Sequence, residues 1–269
     1  MAADEPLFRV RGLEVALPDM TAKPLFGRAP RIDILKGLDF DIDRGAVLGI
    51  VGGSGSGKST LGRALLRLVD CSAGTVAFGG RDITHLGERD LRPLRRRFHM
   101  IFQDPMSSLN PRRTVGAIIA DPLYLHGFDR ISERVDAALA HVGLEPGFRG
   151  RYPHELSGGQ RQRIGIARAI ALEPEFILAD EIVSGLDVSS QAQVLNLLDR
   201  LVRDLGLTLA FISHDLSVIR RLCSRVMVLH RGRIVENAST RDVFERPRAA
   251  YTRELLDAIP LPDPDQPGW

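Results

Sequence analysis

The chain has 269 residues, enough for one large domain or one domain carrying an inserted lobe. Its 36 Lys+Arg and 34 Asp+Glu leave a net charge of +2, which argues against a protein whose main task is coating nucleic acid or an acidic membrane. A hydrophobic share of 44% beside 26% charged residues fits a globular domain with a sizeable core, and no run approaches the ~18–20 apolar residues of a membrane span. The opening Met1-Ala2-Ala3-Asp4-Glu5 is acidic and lacks a basic stretch followed by an apolar one, so no signal peptide is expected. Cys71 and Cys223 stand far apart, without metal-ligand spacing, and read as buried free thiols of a reducing compartment.

Along the chain, Phe8, Val10, Leu13, Val15 and Leu17 alternate as a strand does, ahead of a polar loop near Thr21 to Arg31. Ala46 to Val51 reads as a buried strand, followed by a Gly-rich turn and a helix starting near Lys58. Between Asp104 and Pro153 the pattern changes to helices and loops, as an inserted helical lobe would. Phe176-Ile177-Leu178-Ala179 is another buried strand, ending in Asp180-Glu181. Val194, Leu197, Leu198, Leu201, Val202 and Leu205 then recur at helical spacing and form one apolar stripe. Leu207 to Ile212 is a strand closing on Ser213-His214-Asp215, and Arg225–His230 with Arg233–Glu236 reads as a hairpin. The Pro-rich stretch Pro260 to Trp269 is expected to be a poorly packed tail. Short apolar runs alternating with helix-period segments favour an α/β fold.

Gly52-Gly53-Ser54-Gly55-Ser56-Gly57-Lys58-Ser59-Thr60 matches G-x-x-x-x-G-K-[ST] between a predicted strand and a predicted helix. Backbone N–H groups converge on a phosphate only where no side chain obstructs them, and a helix N-terminus adds partial positive charge. In that frame Lys58 reaches the β- and γ-phosphates and Ser59 ligates Mg²⁺. Asp180, at the end of a neighbouring buried strand, is placed to hold the metal's shell, and Glu181 to polarise an attacking water. An acidic helix cap is the plainer alternative for that pair.

Leu156-Ser157-Gly158-Gly159-Gln160-Arg161-Gln162-Arg163 resembles the signature motif of ABC ATPases. Ser157, Gly158 and Gly159 open a predicted helix running to about Leu172, a second helix N-terminus suited to a γ-phosphate. Gln103, after Met100-Ile101-Phe102, resembles the Q-loop glutamine that senses Mg²⁺ and the permease. Ser184-Gly185-Leu186-Asp187 resembles the D-loop, and His214 the switch histidine that contacts the γ-phosphate.

The resemblance implies an α/β P-loop NTPase fold forming a single ABC ATPase domain. A RecA-like core with an antiparallel β subdomain would span about 1–103 and 164–240, with an inserted α-helical subdomain at about 104–163 and a C-terminal segment at about 241–269. It also implies that ATP lies between two protomers facing head to tail, the phosphate loop of one meeting Ser157, Gly158, Gly159 and Gln160 of the other. The chain has one set of each and so needs a second ABC ATPase subunit, a copy or a sister. Two positions depart from the family pattern: Ile182 stands where proline is common and Gly185 where alanine is common. Neither departure removes a reacting group. Phe26 is a candidate for stacking on adenine, with core or surface packing the equal alternative.

Gln103-Asp104-Pro105-Met106-Ser107-Ser108-Leu109-Asn110-Pro111-Arg112 is similar to the importer subfamily for dipeptides, oligopeptides and nickel. The stretches Asp187 to Leu195 and Arg246 to Pro260 agree with it. That implies two transmembrane permease subunits, an extracytoplasmic substrate-binding protein acting indirectly, ATP and Mg²⁺ as cofactors, and no nucleic acid. It implies a peripheral place on the cytoplasmic face of the inner membrane. Peptide cargo is favoured over nickel or a metal chelate. The loop from Asp104 to Arg113, with Leu109 facing a docked permease helix, is the expected coupling point. Many relatives carry a further cysteine cluster; none is present here, so no Fe–S site is expected. Repair or ribosomal ABC ATPases would bring long coiled coils or two cassettes, and a silent regulatory subunit would have a damaged phosphate loop, glutamate or histidine.

Overall fold

A computed structural model describes residues 5–19, 21, 27, 29–102 and 108–258. The alternating start of the chain builds an antiparallel layer. β1 (Phe8–Pro18) pairs with β2 (Arg31–Ile42) on one side and β4 (Ala73–Phe78) on the other, and β5 (Arg81–Asp82) closes the order β2-β1-β4-β5. Phe8, Val10, Leu13 and Val15 are buried, as their alternation predicts, because one face of this sheet covers a core and the other meets solvent.

The second sheet has the order β10-β9-β3-β8-β7-β6. β3 (Val47–Val51), β6 (Phe98–Ile101), β7 (Phe176–Asp180), β8 (Thr208–Ile212) and β9 (Arg225–His230) run parallel, and β10 (Arg233–Ser239) returns antiparallel along β9. β3, β7 and β8 are buried at every residue, which is why they read as unbroken apolar runs. Successive side chains still point to opposite faces. Leu48, Ile50, Leu178, Ala210 and Ile212 share a core with the antiparallel layer, α1 (Lys58–Leu65) and α2 (Glu88–Arg95). Val47, Val51, Ile177, Ala179, Leu209 and Phe211 join the opposite core. That core also takes α3 (Val115–Leu125), α4 (Ile131–His141), α5 (Gly158–Ile170) and α6 (Val188–Leu205).

Described residues 108–153 contain no strand. α5 runs unbroken through the expected boundary at 163/164. α6 begins where Asp187 Oδ1 accepts the Ser190 N–H at 2.8 Å and ends at Gly206. Its buried stripe includes Val194, Leu197, Leu198 and Leu201 but stops a turn short of the sequence pattern: Leu205 is 40% exposed. Leu207, just past the helix, is buried there instead. The chain closes with α7 (Leu216–Leu222), α8 (Thr240–Glu245) and α9 (Ala250–Asp257).

Both cysteines are free and buried, and burial pushes the Cys223 thiol up to about 12, which leaves it unreactive. Among the described residues no helix is long and apolar enough to cross a membrane. Phe211→Ala, which empties a fully buried site, is expected to cost roughly 3–5 kcal/mol, against less than about 1 kcal/mol for Leu205→Ala. Urea unfolding of both variants checks the contrast; equal losses would contradict this account of the stripe.

Candidate nucleotide-binding site

The phosphate loop lies between the end of β3 and the start of α1. Gly57 caps α1 without any side-chain hydrogen bond, so the first N–H groups of the helix stay open to an anion. On its outer side the loop leans on the β9–β10 hairpin. Gly232 N–H donates to Ser56 O at 3.0 Å, and a Cβ on Gly52, whose φ is 149°, would lie 2.2 Å from Leu229 O. Only glycine fits there. Lys58 Nζ folds back onto Gly52 O at 2.8 Å and Gly53 O at 3.1 Å. Burial lowers the pKa of this ammonium, while the charges of Glu181 and Asp180 pull the other way. Among the described residues Ser56 Oγ is buried without a hydrogen-bond partner, which suits a cradle for a ligand oxygen.

Asp180 ends β7 beside α1, where Ser59 Oγ donates to its Oδ1 at 3.2 Å. Burial raises the Asp180 carboxyl above the usual range, against the hydrogen bond from Ser59 and the charges of Arg63 and Lys58. A hydroxyl and a buried carboxylate side by side are hard oxygen donors of the kind Mg²⁺ accepts. Among the described residues no three His, Cys, Asp or Glu side chains gather as a metal site, so phosphate and water oxygens would complete the shell.

Glu181 follows in the left-handed region, at φ 49°. Its N–H donates to Ile212 O at 2.9 Å, and its carbonyl accepts from Ser184 N at 3.1 Å and Ser184 Oγ at 2.8 Å, which together hold the turn. Ile182, in the position where proline is common, is buried, and Gly185 sits at φ 79°, which alanine would resist. His214, on the loop after β8, brings Nδ1 to 3.6 Å from Glu181 Oε2. A cavity of about 530 Å³ is lined by residues 52–60, Glu181, His214 and Leu255.

Ser157 caps α5 through a reciprocal pair: its Oγ accepts from Gln160 N at 3.3 Å, and its N–H donates to Gln160 Oε1 at 3.0 Å. A separate cavity of about 350 Å³ is lined by Ser157, Gly159, Gln160, Arg163 and Ser190, among others. It shares no lining residue with the phosphate cavity. Within one chain the two half-sites do not meet.

The sequence profile of the ABC transporter family matches residues 35–184. The chain belongs to the ABC transporter family. It is 52% identical over 265 residues to a Brucella ovis protein named as a peptide import ATP-binding protein, covering 97% of this chain and 81% of that one. It is 49% identical over 266 residues to the glutathione import ATP-binding protein GsiA of Salmonella typhi, covering 97% of this chain and 42% of GsiA. Among solved structures, cbiO1 from Clostridium perfringens, part of the transporter complex cbiONQ, superposes with a TM-score of 0.78 at 27% identity over 96% of this chain and 97% of that one. The dimeric cassette MJ0796, in a post-hydrolysis state bound to ADP and Pi, gives 0.75 at 28% identity over 87% and 99%. The chain is thus an ATP-binding ABC transporter ATPase with a P-loop NTPase fold.

Gln103 and Phe26 lie outside the described residues. Leu109 corrects the sequence reading. It is 2% exposed and packs in the core with Ile118 and Ile119, so it cannot face a partner. The apolar residues open at that cleft are Leu68, Phe102 and Leu125, lining a cavity of about 560 Å³ with Ser108 and Asn110. Tyr251 and Leu255, on α9, meet the phosphate loop and carried no site signal in the sequence: the stretch around them reads only as a subfamily tail.

Asp180→Asn, which keeps the shape and removes the buried charge, is expected to raise the nucleotide-free melting midpoint at pH 7. The gain should fade toward about pH 4. A carboxyl whose folded pKa exceeds its unfolded one binds protons more readily when folded, so stability falls as pH rises through that window and the full penalty persists above it. Melting curves of both proteins at the two pH values check this; equal midpoints at pH 7 would contradict it.

Proposed function

We propose that this chain is the ATP-hydrolysing subunit of an importer of di- and oligopeptides, acting at the cytoplasmic face of the inner membrane as a peripheral partner of two permease subunits. The observation that carries the reading is the separation of two unlike half-sites, phosphate loop with Glu181 and His214 on one cavity, Ser157 to Gln160 on another. Two chains facing head to tail would bring each phosphate loop against the other chain's α5 N-terminus, closing two composite sites around ATP. The peptide cargo is supported by the name of the Brucella ovis relative and by GsiA, since glutathione is a tripeptide. An extracytoplasmic binding protein delivers cargo to the permease, and this chain does not touch it.

In the closed dimer the open N–H groups of α1 and Lys58 hold the β- and γ-phosphates. Ser59 and Asp180 are the residues that would hold Mg²⁺, whose charge offsets that of the phosphates. Glu181 accepts a proton from water as the water oxygen attacks the γ-phosphorus and the bond to the β–γ bridging oxygen breaks, releasing ADP. His214, held beside Glu181, orients that carboxylate and reaches the γ-phosphate. By its resemblance to the Q-loop glutamine, Gln103 is assigned the coupling of this site to a permease cleft. There Leu68, Phe102 and Leu125, rather than Leu109, offer the apolar contact for a permease helix. Helix α5 spans lobe and core, so closure around the nucleotide moves that cleft with it.

Glu181→Gln keeps the shape of the site and removes the base. It is expected to retain ATP, accumulate as a dimer, and lose turnover about a hundredfold or more. Phosphate release and light scattering in the presence of ATP measure both; turnover near the wild-type rate would remove Glu181 from the mechanism.

A further inference from the structure

Helix α9 hydrogen-bonds the phosphate loop through the Tyr251 hydroxyl. Gly53 N–H donates to Tyr251 Oη at 2.8 Å. The same Gly52–Gly53 peptide group presents its carbonyl to Lys58 Nζ at 2.8 Å. The N–H and C=O of a trans peptide point in opposite directions across one rigid plane. Tyr251 therefore grips one edge of the plane whose other edge holds the lysine. Flanked by two glycines, that plane has little else to resist rotation.

The rest of α9 is built to keep the hydroxyl in place. Glu236, buried on β10, accepts the N–H of Arg248 at 3.0 Å on one carboxylate oxygen and that of Ala249 at 3.1 Å on the other. These two bonds pin the chain at the start of α9, where an acidic group is also favoured by the helix dipole. The Tyr251 ring lies against His230, with centroids 3.8 Å apart and planes tilted by 38°. Gly53 matches the contact: a Cβ there would come within 3.0 Å of Tyr251 Oη and press the hydroxyl away.

We propose that Tyr251 is a positioning residue for nucleotide binding, fixing the Gly52–Gly53 peptide and, through it, the resting place of Lys58. The C-terminal segment thereby becomes part of the phosphate site rather than an appendage to the cassette. The inference rests on the reading of Lys58 and its loop as the ATP phosphate site.

Tyr251→Phe removes the hydroxyl alone and keeps the ring on His230. Titration of the purified full chain with the magnesium complex of a non-hydrolysable ATP analogue is expected to show affinity about fivefold weaker, the size of one ordinary hydrogen bond. The ATPase rate at saturating ATP should stay within about twofold of wild type, since Tyr251 lies behind the loop and not at the reacting atoms. Unchanged affinity would overturn the proposal. So would a fall in saturated rate as large as the fall in affinity, which is the pattern of general damage. Lys58→Ala, measured alongside, separates the two layers. If it leaves affinity intact, the phosphate reading itself fails; if it abolishes binding while Tyr251→Phe changes nothing, only the role of Tyr251 falls.

Discussion

A triphosphate carries its charge on oxygens that N–H donors and cations must face at close range, and the turn from β3 into α1 concentrates both. That requirement reaches far into the chain. The loop carries few and mostly small side chains, so its shape comes largely from neighbours: the β9–β10 hairpin behind Ser56 and Gly52, Lys58 folded across it, and Tyr251 on Gly53. The neighbours are held in turn by a parallel sheet buried on both faces, whose strand ends deliver Asp180 and, one residue on, Glu181 to the same spot. A carboxyl raised by burial and an ammonium lowered by burial make both charges costly to hold there. Bound nucleotide and metal would relieve both.

In the proposed head-to-tail dimer, each chain supplies one half of each nucleotide site. Ser157 and Gln160 satisfy one another at the start of α5 and open onto their own cavity, away from the loop. The arrangement makes sense for a machine whose stroke is the meeting of two such surfaces. Burying charged phosphate between two helix N-termini is more favourable when both are present, so in the proposed dimer nucleotide would act as the adhesive and hydrolysis as the release. In the proposed importer, helix α5 would carry that movement to the apolar cleft at Leu68, Phe102 and Leu125.

The parts legible in the sequence were those where chemistry dictates letters locally. A phosphate loop leaves little room for bulky side chains, so Gly52, Gly55 and Gly57 announce it; doubly buried strands are mostly apolar, so β3, β7 and β8 stand out. The N-cap at Ser157 and the carboxylates at the end of β7 are likewise local statements. What stayed hidden depends on distant packing. Leu109 looks like an exposed residue in a Pro- and Asn-rich loop, yet the helical lobe closes over it. Leu205 continues a helical period and still faces solvent, because Leu207 takes the buried place. Tyr251 contacts a residue 198 positions earlier, a pairing that no spacing rule encodes.

The central claim, that each catalytic site is made by two chains, is tested most directly by mixing two inactive variants. Lys58→Ala spoils the phosphate loop and Ser157→Arg the signature surface, so each purified variant alone is expected to release almost no phosphate. In a mixed dimer one composite site combines the intact loop of the Ser157→Arg chain with the intact Ser157 of the Lys58→Ala chain. An equal mixture should then recover about a quarter of the wild-type rate, half of the dimers being mixed and each holding one good site of two. No recovery on mixing, or full activity of either variant alone, would contradict the account.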